Sequence, residues 1–230
     1  ENNFEMDDRG IYSRYANAVQ HAYDVTNDFG HVAKTAKLKG LKGLEELELA
    51  VGIPIKVMLA LKAETIEEAF ETVGNPAAAE FKYDGFRIQC HRNGNEIRLF
   101  TRRLEDVTNQ FPDVVDYVRS HVKGNNFIID SEAVGMDRKT GKCLPFQSIS
   151  QRIKRKYDIG QMSKDFPVEL NVFDIIYYGG KSLLDTEFRK RREILEKIIK
   201  EEKGKIIVSR IIIADSKKEV EDYFKKSLKE

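Results

Sequence analysis

The spacing of apolar residues changes once along the chain, near residue 77, and that change limits the fold more than any other feature. Upstream, Tyr12, Tyr15, Val19 and Tyr23 recur three and four residues apart. Val32, Ala33, Ala36 and Leu38 resume the pattern after a break at Asn27-Asp28-Phe29-Gly30. This is the period of amphipathic helices. Gly40 and Gly43 mark a second break. Gly52-Ile53-Pro54 reads as a linker, because proline cannot continue a helix. Thr65 followed by Glu67-Glu68 opens a short helix, and Gly74-Asn75-Pro76 ends it. Downstream the period is two. Residues 77–83, 86–92 and 96–101 read as strands, with Asp84-Gly85 and Asn93-Gly94 as hairpin turns. Further on, 111–122, 147–156, 187–200 and 217–229 read as helices, and 126–134, 168–178 and 205–213 as strands. The expected fold is α+β: a short all-α segment over residues 1–52, then a unit over 53–230 with mainly antiparallel sheets flanked by helices.

Composition excludes several classes. The 230 residues include 13 Phe and 9 Tyr spread along the whole sequence, which argues for a packed core. No apolar run approaches the ~20 residues that span a bilayer. The start, Glu1-Asn2-Asn3-Phe4-Glu5, has no secretory signal and no initiator Met, so a piece of a longer protein is expected. Cys90 and Cys143 stand apart with no CxxC and no Cys/His cluster, so neither a disulfide framework nor a zinc site is expected, and a reducing cytosol is. With 39 basic against 38 acidic residues, net charge decides nothing about nucleic acid.

Two segments bear on phosphate chemistry. Gly135–Cys143 has the outline of a P-loop but fails it: the glycines are one residue too far apart, and Cys143 stands where Ser or Thr would bind Mg²⁺. A plain turn with Gly141 at a special φ is expected. The second segment is Glu80-Phe81-Lys82-Tyr83-Asp84-Gly85-Phe86-Arg87. For an isolated K-x-D-G, an exposed lysine beside a turn is the stronger reading. A nucleophilic role needs the amine freed from the proton it carries in water (free lysine titrates at ~10.4), by nearby cations or partial burial.

Lys82-x-Asp84-Gly85-x-Arg87 resembles the first motif of the covalent nucleotidyltransferases, which comprise DNA ligases, RNA ligases and mRNA-capping enzymes. Other segments match in order. Phe100-Thr101-Arg102-Arg103 resembles the ligases' second motif. Residues 127–134 resemble the strand whose Glu, here Glu132, contacts ribose and helps hold the metal. Pro145-Phe146-Gln147 with the basic run Arg152-Ile153-Lys154-Arg155-Lys156 resembles a stretch typical of ATP-dependent DNA ligases. Residues 172–177 resemble the strand whose aromatic residue, here Phe173, stacks on adenine. Upstream, residues 27–33 and 54–60 resemble the end of the helical DNA-binding domain and the linker of archaeal and eukaryotic-type ATP-dependent DNA ligases, with Val57 where proline is usual. Taken alone, Glu132 reads as a solvated carboxylate, Phe173 as core, and Arg102 and Arg103 as a solvated face. The ordered set carries the resemblance.

The resemblance implies an ATP-grasp-like nucleotidyltransferase adenylation domain over 53–230, preceded by the C-terminal helical part of a DNA-binding domain over 1–52. It implies a DNA ligase using ATP and Mg²⁺ to seal nicked double-stranded DNA through a lysine-AMP intermediate. Lys82 is the nucleophile. Glu80, Arg87, Arg102, Glu132 and Phe173 bind the nucleotide, Glu132 also serves the metal, and Arg152, Lys154, Arg155 and Lys156 are candidates for DNA phosphates. It further implies a cytoplasmic (in a eukaryote, nuclear) monomer with no membrane, and allows a sliding clamp as partner. No Glu-Gly dipeptide is present, and Lys203-Gly204-Lys205 lacks the context of the family's Lys-x-Lys motif, so this lysine pair is expected in a loop and the chain is expected to be a weakly active fragment. An RNA ligase or capping-type enzyme, or a non-catalytic DNA-binding fragment, are the alternatives.

Overall fold

The computed structural model describes residues 9–56, 58–137, 139–154 and 157–229, and of Lys154 only the backbone. Helices α1 (Arg9–Thr26) and α2 (Phe29–Glu45) follow the upstream period. They pack through Ala18, Ala22, Val32 and Leu44. Asn27 takes a left-handed conformation, φ +49°, and Asp28 caps α2 by accepting from the His31 amide at 2.9 Å. Gly40, at φ +62°, breaks α2 as expected. The linker that follows is clamped to the sheet. Gln89 donates to the Ile55 carbonyl at 2.8 Å and accepts from its amide at 3.1 Å. His91 accepts from the Gly52 amide at 2.9 Å. Burial pushes the His91 imidazole down to about 4, so the ring is neutral and free to accept. Val57 lies outside the described residues.

Thr65 caps α3 (Ile66–Val73), accepting from the Glu68 amide at 3.1 Å. The strands are β1 (Ala77–Glu80), β2 (Phe86–Asn93), β3 (Glu96–Thr101), β4 (Asn126–Met136), β5 (Cys143–Leu144), β6 (Val168–Tyr178), β7 (Lys181–Ser182), β8 (Ile206–Val208) and β9 (Ile211–Ala214). The remaining helices are α4 (Pro112–His121), α5 (Phe146–Lys154), α6 (Ile159–Asp165), α7 (Phe188–Ile198) and α8 (Lys217–Ser227). The large sheet runs β3-β2-β4-β6-β7, with β5 antiparallel on β4 and β8 parallel on β6. Among the described residues the parallel pair is the one departure from antiparallel order.

Two expected connections are different. The Asp84-Gly85 segment is not a hairpin turn, because β1 pairs with β9 in a separate two-stranded sheet and not with β2. Likewise 205–213 is not one strand: the chain leaves β8 at Ser209-Arg210 and enters the small sheet as β9. In both places the local pattern of extended, apolar residues is right, but pairing is a long-range choice. Asn93-Gly94 does form the β2–β3 hairpin, with Asn93 opposite Glu96 and Gly94 at φ +60°. The P-loop look-alike is a turn with Gly141 at φ +67°; its Arg138 lies outside the described residues.

Alternation splits the large sheet into two faces. Phe86, Ile88 and Cys90 of β2, Phe127, Ile129 and Ala133 of β4, and Val172 and Ile175 of β6 join the core with Val114 and Val118 of α4 and Leu195 of α7. Burying the Val, Leu, Ile and Phe side chains among them contributes roughly 1.5–3 kcal/mol each. The alternate residues, Arg87, Gln89, His91, Asp130 and Glu132, face the other way. Cys90 is buried and Cys143 exposed, both free.

Candidate active site

Glu80 and Lys82 sit where β1 hands over to the segment that leads into β2. The alternation of β1 continues through this segment. Phe81 packs on Tyr223 of α8, ring centroids 5.0 Å apart, and on Tyr83 at 6.1 Å. The Phe81 amide donates to the Arg210 carbonyl at 3.1 Å, and the Tyr83 hydroxyl accepts from the Arg210 amide at 3.2 Å. With Phe81 and Tyr83 pinned on one side, Glu80 and Lys82 are exposed on the other.

The next two residues explain the rest of the motif. The Asp84 carboxylate accepts from the Phe146 amide at 3.3 Å, where the start of α5 favours an anion. A Cβ on Gly85 would lie 2.3 Å from the Ala133 carbonyl oxygen. This glycine therefore serves a close approach to β4, not a positive φ. That approach carries the chain across Glu132, which pairs in register with Arg87.

Glu132 is half-buried. Burial pushes its carboxyl up to about 7, against the pull of Lys82, Arg87 and the Gly85 amide, while the Asp130 charge adds to the rise. Arg87 grips the buried Asp130 with Nε, at 2.7 Å, and Nη2. Burial pushes Asp130 up and Arg87 pulls it back. The guanidinium also lies 5.5 Å from the centre of the Phe173 ring.

Phe173 owes its place to an irregularity. β4 and β6 pair Asp130 with Asp174 and then Ser131 with Val172, which leaves Phe173 unopposed. Val172 and Ile175 both point into the core, so this bulge turns Phe173 and Asp174 together onto the polar face. Asp174 is held in its own fork by Arg191, at 2.8 and 3.0 Å. Glu80 accepts from the Ser209 hydroxyl; its carboxyl is raised, first because its carboxylate end is withdrawn from water and then by the nearby Asp174, against the pull of Ser209 and Arg192. Lys82, Arg87, Glu132, Phe173 and Glu80 thus share one end of one face. Arg102 is exposed in the turn after β3, at the same end of the sheet, and no hydrogen bond or ion pair ties it to this group among the described residues.

The basic stretch does not behave as a unit. Arg152 is 1% exposed. It pairs with Asp113 at 2.6 and 3.0 Å, donates to the Gln110 and Phe166 carbonyls and to Ser163, and lies over the Phe111 ring at 4.4 Å. It is interior structure and cannot reach a DNA phosphate: at helical spacing from Ile149 it points inward, which a count of basic residues does not reveal. The Lys154 side chain, Arg155 and Lys156 lie outside the described residues. Lys203-Gly204-Lys205 is a turn in which Lys205 pairs with Glu202 at 2.6 Å. The Asp130, Asp174, Ser209 and Arg192 partners were missed from sequence; only Asp130, two residues before Glu132 on the same strand, carried a signal that could have found it.

No group of three or more His, Cys, Asp or Glu is set to hold a metal among the described residues. Asp130 and Asp174 are both committed to arginines, which leaves Glu132 and Glu80 on this face. One carboxylate completed by substrate phosphates is the way Mg²⁺ is commonly bound, so Glu132 fits that ion.

Residues 57–230 match the model of the ATP-dependent DNA ligase domain. The chain belongs to that family. Among its relatives are a DNA ligase of Nanoarchaeum equitans, 53% identical over 90% of this chain and 36% of that protein, and one of Methanopyrus kandleri, 46% identical over 91% and 38%. A Thermococcus onnurineus DNA ligase is 41% identical over 93% and 38%. The chain spans just over a third of the length of the curated relatives it matches. A solved structure of the ligase domain from M. tuberculosis LigD aligns with a TM-score of 0.48 at 24% identity, over 65% of this chain and 44% of that one. No helix among the described residues is long and apolar enough to cross a membrane.

Proposed function

We propose that this chain is the nucleotide-charging part of a DNA ligase that seals nicks in duplex DNA at the expense of ATP. Residues 53–230 form the adenylation domain and 1–52 the end of a DNA-binding domain. The observation that carries the reading is the exposed Lys82 held beside Glu132 and Arg87 on the polar face of a ligase-family sheet.

The Lys82 Nζ attacks the α-phosphorus of ATP, a P–N bond forms, and pyrophosphate leaves with the electrons of the broken P–O bond. AMP then passes to the 5′-phosphate at a nick, and the 3′-hydroxyl displaces it. The covalent intermediate divides one hard condensation into easier steps. Phe173 stacks on adenine and Glu80 meets its edge. Arg87 and Arg102 take phosphate or ribose, and Glu132 takes ribose or metal. Mg²⁺, when bound, neutralises phosphoryl charge. Lys154, Arg155 and Lys156 remain candidates for DNA phosphates. The setting is a cytoplasm, with a monomeric enzyme acting on nicked duplex and a sliding clamp as a partner of the longer protein.

The test is self-adenylation. Incubation with α-³²P-ATP and Mg²⁺, followed by peptide mapping, places the adduct on Lys82. Lys82→Ala abolishes it and Lys205→Ala leaves it nearly intact. An adduct on another lysine, or equal loss from both variants, would refute the assignment. Labelling from GTP and not ATP would favour a capping-type enzyme.

A further inference from the structure

Ser209 lies at the break between β8 and β9 and is 1% exposed. Its amide donates to the Val172 carbonyl at 2.8 Å, which fixes it to β6 one residue from Phe173. Its hydroxyl donates to Glu80 Oε1 and accepts from Arg192 Nη1 at 3.2 Å. The Arg192 side chain is 13% exposed and is held from the far side by Glu196 at 2.8 Å.

The chain Arg192–Ser209–Glu80 runs in one sense only. A guanidinium has donors and no acceptor, and it stays protonated. The hydroxyl accepts from it and, among the described residues, has only Glu80 as an acceptor for its own proton, so that proton turns toward Glu80. This occupies a lone pair on Oε1, favours the ionised carboxylate, and leaves Oε2 to accept from something else. A protonated Glu80 would instead present a donor. The distinction matters for a purine, because a 6-amino group donates a hydrogen bond and a 6-oxo group accepts one.

We propose that Ser209, backed by Arg192, is a positioning residue that holds Glu80 as an acceptor at the base edge and so sets the preference for a 6-amino over a 6-oxo purine nucleotide. The inference rests on the reading of Glu80 as the neighbour of the adenine edge. Neither Ser209 nor Arg192 touches the reacting atoms in this scheme. Their effect is on nucleotide choice and KM, not on transfer to Lys82.

The experiment compares self-adenylation of the protein with ATP and with ITP, which carries a 6-oxo group. Ser209→Ala is expected to lower the ATP/ITP ratio of kcat/KM by about tenfold, the scale of one lost hydrogen bond to a charged group. The loss should fall on the KM for ATP, with kcat changed less than about twofold. Ser209→Thr, which keeps the hydroxyl, should restore the ratio. Ser209→Ala should add nothing in a Glu80→Ala background. If Ser209→Ala does not fold, Arg192→Met removes the cation that orients the hydroxyl and should lower the same ratio. A ratio that collapses in Glu80→Ala but survives in Ser209→Ala and Arg192→Met overturns the relay and leaves the base-edge reading standing. A ratio unchanged in Glu80→Ala overturns the base-edge reading and the relay with it. An equal loss with both nucleotides, borne by kcat, makes Ser209 merely structural and overturns the proposal.

Discussion

Arg152 and Arg87 make the same contact in different surroundings. Each grips an aspartate with two guanidinium nitrogens and each lies over a phenylalanine ring. The Arg152 side chain is fully buried, and its two terminal nitrogens are used on Asp113, two carbonyls and Ser163. The Arg87 side chain is 27% exposed, and among the described residues its hydrogen bonds go to Asp130 alone. Its third nitrogen makes no hydrogen bond among the described residues, and the Phe173 ring beside it is only partly buried. A fork buried among protein acceptors is scaffolding, even with the Arg152 Nε left without a partner, whereas a partly open fork beside an exposed lysine is available to a ligand. The residue types are identical, so the difference lies in what surrounds them.

Removing Arg152 is the harshest way to break this comparison. Arg152→Ala leaves Asp113 unpaired against the core, and breaking such a buried pair costs ~3–5 kcal/mol. Thermal melting should show that loss, and adenylation should fall only as far as folding does. An unchanged melting temperature with weakened DNA binding would return Arg152 to the DNA interface.

Arg87→Ala should also lower the melting temperature, because Asp130 loses its partner, but its larger effect is chemical. Losing a donor aimed at developing phosphoryl charge commonly lowers the rate by ~10²–10³. Adding Asp130→Asn removes the orphaned charge. The double variant should regain stability and not activity, whereas Arg152→Ala with Asp113→Asn should regain both together. Recovery of adenylation in Arg87→Ala/Asp130→Asn would make Arg87 scaffolding too.

Phe173→Ala tests the ring that Arg87 overlies. Base–aromatic stacking is worth ~1–3 kcal/mol, so ATP affinity measured by titration should fall roughly ten- to a hundredfold with the fold kept. Unfolding with no selective effect on ATP would place Phe173 in the core.

The smallest effect concerns the carboxylate that has no fork. Glu132 sits near 7 in the folded chain, above its ordinary value, so folding favours its protonated form. That contribution is complete below about 4.5 and is lost as pH rises through 7. In metal-free buffer Glu132→Gln should therefore gain stability relative to the unaltered protein between pH 5 and pH 8. A parallel pH dependence in the two would mean that Lys82 and Arg87 compensate Glu132 as fully as Arg87 compensates Asp130.

The sequence by itself determined the order of elements and the ligand-facing types. The 3.6 and 2 periods are local properties of helix and strand, so β2, β4, β6 and α8 could be read within a residue or two of their ends, and α1 and α2 by the break between them. The motif spacing around Lys82 and the strand carrying Glu132 survived for the same reason: one register pair, Arg87 with Glu132, brings them together. What only the tertiary structure decided were choices among equivalent local patterns. Pairing of β1 with β9 spans the whole unit and cannot be seen at Asp84-Gly85, where Gly85 is required by the approach of Ala133, not by a turn. The bulge that turns Phe173 onto the site face depends on where β6 meets β4. The fate of Arg152 depends on Asp113 and Phe111 arriving from another helix. Ser209 carried no signal at all, because a serine acquires a role only when a guanidinium and a carboxylate are folded against its two sides.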